Sequence, residues 1–215
     1  TSVFDLGVVL MVLFSMFVST FLGNLPKENV VVVVITYLCA PLSAIIAIAL
    51  LGLKKRQNVF IQLKPQKSDV VTIIAMFLIT LGMMFGLSSL NEHFVDFLQF
   101  LGLKQSPITL PTYTLGNFIT VFLFICIIPP ITEEMFFRGA ILKGMQGIGE
   151  LGAILVSGAL FSLFHMSPQQ TIYQFIAGCL YAFIVLRGGD WSLIVLSHFI
   201  NNAFIVVNFY FINFL

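Results

Sequence analysis

Three short stretches of this chain carry polar side chains where polar side chains are costly. The first is "PPITEEMFFRG", residues 129–139, with Glu133 and Glu134 adjacent and Arg138 four residues after Glu134. The second is "FSLFH", with Phe161 and His165 four apart. The third is "HFINN", with His198 and Asn202 four apart. All three sit inside apolar runs. A charged side chain at the centre of a membrane helix costs about 2.5–3.5 kcal/mol on insertion scales, so two glutamates facing lipid would cost about 5–7 kcal/mol. Such a pair belongs in a polar or wet interior, where function is the default reading.

The types present suit hydrolysis of an amide. A carboxylate and a histidine together can activate water as general base. A second histidine and an asparagine amide can donate hydrogen bonds to an oxyanion. On a helix, Glu134 and Arg138 share a face and can pair, whereas Glu133 is turned away by about 100°. Pro129 and Pro130, just ahead, free backbone carbonyls and open space by a kink. No serine or cysteine nucleophile motif accompanies the set, and neither HExxH nor a clustered Cys/His spacing occurs. A zinc ion held by His165, His198 and Glu133 is the alternative that the same residues allow, since two histidines and a glutamate form a common catalytic ligand set. Asn202 suits oxyanion duty better than zinc ligation. Each feature alone is compatible with structural glue: a buried salt bridge, a hydrogen-bonded histidine, an interhelical amide. Three of them in one short membrane chain favour a shared site.

The elements that must position these residues are membrane helices. Of 215 residues, 59% are hydrophobic and 9% charged, against about 25% charged in soluble domains. The net charge of +1 gives no footprint for nucleic acid. About seven apolar segments (six to eight) approach the roughly 20 residues a span needs: 3–22, 30–53, 70–90, 117–137, 150–166, 170–186 and 191–212. The fifth and sixth are short. No alternation suggests a barrel, so the expected fold is all-α, a polytopic transmembrane bundle. The first segment is read as a retained span rather than a signal peptide. Cys39, Cys126 and Cys179 lie in apolar stretches and read as core.

We divide the chain into amino-terminal helices, 1–116, and a catalytic helical core, 117–215. The first part includes a basic loop at 54–68, with Lys54, Lys55, Arg56, Lys64 and Lys67. An amphipathic segment at 91–103 follows, with Phe94, Phe97, Leu98 and Leu101 at helical spacing, as for a helix on the membrane surface. By the positive-inside rule the basic loop is cytoplasmic, which puts the amino end inside and the carboxyl end outside. Counted from cytoplasmic ends, Glu134, His165 and His198 then lie about 15, 22 and 12 Å deep. Tilt or a partly re-entrant 140–150 link must bring them level.

The three motifs, in order and in separate segments, resemble the EExxxR, FxxxH and HxxxN motifs of the CPBP family. That family comprises type II CAAX prenyl endopeptidases and bacteriocin-processing or immunity (Abi) proteins. The resemblance covers about 117–206. It implies an intramembrane endopeptidase acting on a membrane-associated protein or peptide, CAAX-type or a bacterial precursor, in a membrane such as the bacterial plasma membrane. It implies Glu133 as general base with His165 assisting, His198 and Asn202 at the oxyanion, and Glu134 with Arg138 organising the first motif. It also implies that no metal is essential, and zinc stays the open cofactor. A non-proteolytic immunity or scaffold protein is the alternative within the family. A proton-coupled transporter is a third reading, disfavoured by the lack of an inverted repeat.

Overall fold

The computed structural model describes residues 3–55, 67–104 and 108–212. Most of the basic loop expected at 54–68 therefore lies outside the described residues. The protein is all-α, with no strand among the described residues. The helices are α1 (Val3–Leu22), α2 (Val30–Lys55), α3 (Val70–Gly86), α4 (Ser88–Phe100), α5 (Leu115–Gly144), α6 (Glu150–Phe164), α7 (Thr171–Leu186) and α8 (Trp191–Val207). A 3₁₀ turn at Pro168–Gln170 precedes α7, and a π turn at Asn208–Ile212 prolongs α8.

Among the described residues, six helical runs are long and apolar enough to cross a bilayer. The protein is thus an integral, multi-pass membrane protein. The seventh, α6, has 15 residues. It rises about 22 Å, short of the roughly 30 Å hydrocarbon core. Two boundaries differ from the expectation. The segment expected at 117–137 runs to Gly144 because α5 continues through π-helical stretches. The segments expected at 70–90 and 91–103 are helices separated only by Leu87. In α4 the buried residue is Val95, while Phe97 and Leu101 of the expected stripe are exposed.

The chain forms two compact units, which interleave along the sequence. The first takes Thr1–Val59, Ile108–Phe136 and His198–Leu215. Here α1 packs on α2, and α2 on the first half of α5. Its core gathers Val33, Leu110, Val121, Ile125, Cys126 and Val206, ringed by Phe118, Phe122 and Phe199. Gly7 allows α1 to reach α5: a Cβ there would stand 2.7 Å from Phe136 Cζ. Thr114 caps α5 by accepting from Asn117 N at 3.0 Å.

The second unit takes Phe60–Pro107 and Phe137–Ser197. Asp69 caps α3, accepting from Thr72 N at 2.8 Å. α6 and α7 cross in close contact. A Cβ on Gly158 would meet Cys179 Sγ at 2.4 Å and the Phe175 carbonyl at 2.8 Å; one on Gly178 would stand 2.9 Å from Gly158 Cα. Small residues at a crossing let membrane helices approach backbone to backbone, where packing replaces the hydrophobic driving force. A buried hydroxyl cluster ties three helices together: Thr80 on α3 is 2.7 Å and Tyr181 on α7 is 3.0 Å from Ser197 Oγ on α8.

Candidate active site

The residues singled out in the sequence fall on both units. Glu133, Glu134, His198 and Asn202 belong to the first, Arg138 and His165 to the second.

In the first unit, α5 enters the site through two irregularities. Residues Phe122–Ile127 are π-helical, and the Ile128 N–H donates back five residues to Leu123 O. Pro129 and Pro130 then follow, and neither has an N–H. In α register the Ile125 carbonyl would accept from residue 129, and in π register from residue 130. Both positions are proline, so the sequence denies that carbonyl its backbone donor. Asn202 on α8 supplies one instead: its Nδ2 donates to Ile125 O at 3.1 Å. The double proline thus ties the helix of the glutamates to the helix of the histidine. Thr132, next in line, donates its hydroxyl back to the Ile128 carbonyl at 3.0 Å.

Glu133 and Glu134 follow at once, 6% and 0% exposed, and His198 is 4% exposed. The imidazole lies between the two carboxylates. His198 Nδ1 is 3.0 Å from Glu134 Oε1, and Nε2 is 4.0 Å from Glu133 Oε2. A carboxylate only accepts, so Nδ1 carries a hydrogen and donates it to Glu134. A neutral ring with its hydrogen on Nδ1 would present Nε2 as an acceptor on the side of Glu133. Adjacent residues on a helix diverge by about 100°, and this divergence lets neighbouring glutamates address opposite nitrogens of one ring. Asn201 joins them, 9% exposed, its Nδ2 3.4 Å from Asn202 Oδ1.

In the second unit, Arg138 is 4% exposed. Its Nη2 donates to the Gly178 carbonyl at 3.1 Å, and its guanidinium carbon lies 4.7 Å from the Phe161 ring centroid and 5.4 Å from that of Tyr181. A planar cation on an aromatic face with a carbonyl at its edge is a geometry that arginine fills and lysine does not. The turn of helix that carries it, Met135–Ile141, is π-helical. The i, i+4 face counted for Glu134 and Arg138 assumed 3.6 residues per turn, and a π turn widens that register.

His165 closes α6. Its Nδ1 lies 2.9 Å from the Phe161 carbonyl, so Nδ1 carries the hydrogen. The Phe161 ring meets the His165 ring edge-on at 4.8 Å and that of Phe137 at 5.0 Å. One phenylalanine thus supports both Arg138 and His165. Directly afterwards Met166 takes a positive φ of 47°, uncommon for a residue with a side chain, and the chain turns off the helix.

Residues 115–204 match the sequence model of a family described as type II CAAX prenyl endopeptidase Rce1-like. Over this segment the chain is similar to that family. The matched segment contains every motif residue named above. No curated protein and no solved structure matches the chain.

Among the described residues, no three of His, Cys, Asp and Glu stand together as a metal-holding group. Asn201 and the Ile125 carbonyl were missed in the sequence. A tandem Asn-Asn in an apolar helix was the signal for the first. The prolines, which remove the donors of residues four and five back, were the signal for the second.

Proposed function

We propose that the protein hydrolyses a peptide bond of a membrane-associated protein or peptide with water activated at Glu133. The substrate is a prenylated CAAX terminus or, in a bacterial plasma membrane, a peptide precursor. The observation that carries this reading is the buried His198 ring held between Glu134 and Glu133. A gap of 4.0 Å between Nε2 and Oε2 is too long for a direct hydrogen bond and suits one water shared by both.

In this mechanism the shared water gives one hydrogen bond to Glu133 and one to His198 Nε2. Glu133 removes the first proton as the water oxygen attacks the carbonyl carbon. The tetrahedral oxyanion is met by the second amide hydrogen of Asn202, whose first is committed to Ile125. The intermediate collapses as the C–N bond breaks, and Glu133 returns its proton to the leaving amine. Glu134 holds His198 in the tautomer that keeps Nε2 an acceptor. His165, whose tautomer is fixed by the Phe161 carbonyl, is assigned as the assisting base. Arg138 is assigned to holding the helix that bears the glutamates. The hydrogen bonding of His198 thus favours holding water over the oxyanion duty expected from the sequence.

The test uses the purified protein in liposomes with a quenched-fluorescence prenylated peptide and with a panel of unmodified membrane peptides. Glu133→Ala and His198→Ala should abolish cleavage while thermal unfolding stays cooperative. Cleavage should survive thorough chelation. Loss on chelation with recovery at stoichiometric zinc would replace the glutamate mechanism by a zinc site of His165, His198 and Glu133. A wild-type protein that cleaves neither substrate class would favour the immunity or scaffold role.

A further inference from the structure

We propose that Asn201 is a positioning residue for the Asn202 amide; the catalytic part of this inference rests on the hydrolytic reading above. The orientation of Asn202 is fixed independently of any substrate. A carbonyl oxygen only accepts, so the atom facing Ile125 O at 3.1 Å is the amide nitrogen. Its Oδ1 must then point away from α5, and there it meets Asn201 Nδ2 at 3.4 Å.

Sequence adjacency does not force this contact. Neighbouring side chains on a helix diverge by about 100° and do not face each other. Both amides must bend towards one another. Asn201 stands three residues after His198 and Asn202 four, so the two amides flank the face from which His198 projects. Asn201 is also buried, at 9% exposure, inside a membrane span. An amide placed there is costly unless it is hydrogen-bonded.

The chemical consequence follows from amide resonance. A hydrogen bond accepted at Oδ1 draws density from the nitrogen and strengthens the N–H donors of the same group. The chain Asn201 Nδ2–H to Asn202 Oδ1, then Asn202 Nδ2–H to Ile125 O, locks the plane of the Asn202 amide at both ends. That fixes the direction of the remaining Asn202 N–H, the one assigned to the oxyanion. A donor pre-aimed in this way needs no reorganisation during reaction.

Two measurements test the proposal on the full chain. In thermal unfolding in detergent, Asn201→Ala should lower the midpoint more in the wild-type background than in the Asn202→Ala background. An equal decrement in both backgrounds overturns the proposal, whatever the activity. In peptide cleavage, Asn201→Ala should lower kcat about two- to tenfold, the worth of one neutral hydrogen bond, with KM unchanged. Asn201→Asp, which sets an oxygen against Asn202 Oδ1, should lower kcat further, and Asn201→Ser, which restores a donor, should recover part of it. A structural role alone would reduce the folded fraction without this kcat-specific order. Wild-type kcat in Asn201→Asp with normal folding refutes the catalytic half. A wild-type protein that cleaves nothing refutes the hydrolytic reading and with it that half, leaving the amide lock to the unfolding cycle.

Discussion

Replacing Glu134 by glutamine keeps the volume of a side chain that is fully buried and removes its charge. The wild-type carboxylate accepts from His198 Nδ1 at 3.0 Å. A hydrogen bond to a charged group is worth about 1.5–3 kcal/mol net and a neutral one about 0.5–1.5 kcal/mol. The exchange therefore weakens the hold on the ring by about 1–1.5 kcal/mol, or roughly tenfold in rate if all of it is felt in the transition state. That is the smaller of two effects. Glutamine can also turn its NH₂ towards Nδ1, which moves the ring hydrogen to Nε2 and points it at Glu133. The water then loses its acceptor. The equivalent Asp-to-Asn exchange behind a serine-hydrolase histidine costs about 10⁴-fold in kcat through the wrong tautomer. We expect Glu134→Gln to lose at least about tenfold, approaching that larger figure where the tautomer flips. Steady-state cleavage of a prenylated peptide gives kcat, and nitrogen chemical shifts of the labelled His198 ring report the tautomer. A kcat within twofold of wild type, in a folded protein with the ring hydrogen on Nε2, would refute the reasoning.

Arg138→Lys keeps the charge but loses the planar stack on Phe161 and the aimed bond to Gly178 O. It should unfold at lower temperature than wild type yet above Arg138→Ala, and equal midpoints for all three would contradict the anchoring role. Gly158→Ala places a Cβ 2.8 Å from the Phe175 carbonyl, where backbone must shift. It should destabilise by about 1–3 kcal/mol, read as a lowered midpoint in detergent, whereas Gly144→Ala, with no atom within 4 Å of the added carbon, provides the unclashed control. Hydrogen bonding from the Thr72 backbone holds the Asp69 carboxyl below its usual pKa. Its folded value is depressed, so its stabilisation is present above the ordinary carboxylate range and lost as pH falls through the folded value. Asp69→Ala should therefore lower the thermal midpoint at neutral pH and flatten its fall on acidification.

The spans were legible because a bilayer demands length and apolarity, and both are local properties of the chain. The motif residues were legible for the complementary reason: an ionisable group inside such a run is conspicuous. Geometry that depends on register was harder to read. The register after Glu134 was counted at 3.6 residues per turn, and nothing in "MFFRGAI" announces that Met135–Ile141 is π-helical. The loss of backbone donors at Pro129 and Pro130 was legible; its repair by an amide 77 residues away was not, because a long-range partner leaves no trace in local pattern. His198 was placed at the oxyanion by residue type and by the family resemblance. Its hydrogen bond to Glu134 had no local signal, because only a structure places that carboxylate on Nδ1. Asn201 was passed over because the i, i+4 rule picks out Asn202 from the pair.

The central claim is that Glu133 is the base that makes water attack a peptide bond. Mass spectrometry of a prenylated peptide, incubated with liposomes holding either wild-type protein or Glu133→Gln, tests it most directly. The wild type should release one new cleavage product and the folded variant none above background. The same product from Glu133→Gln, released at the wild-type rate, would contradict it.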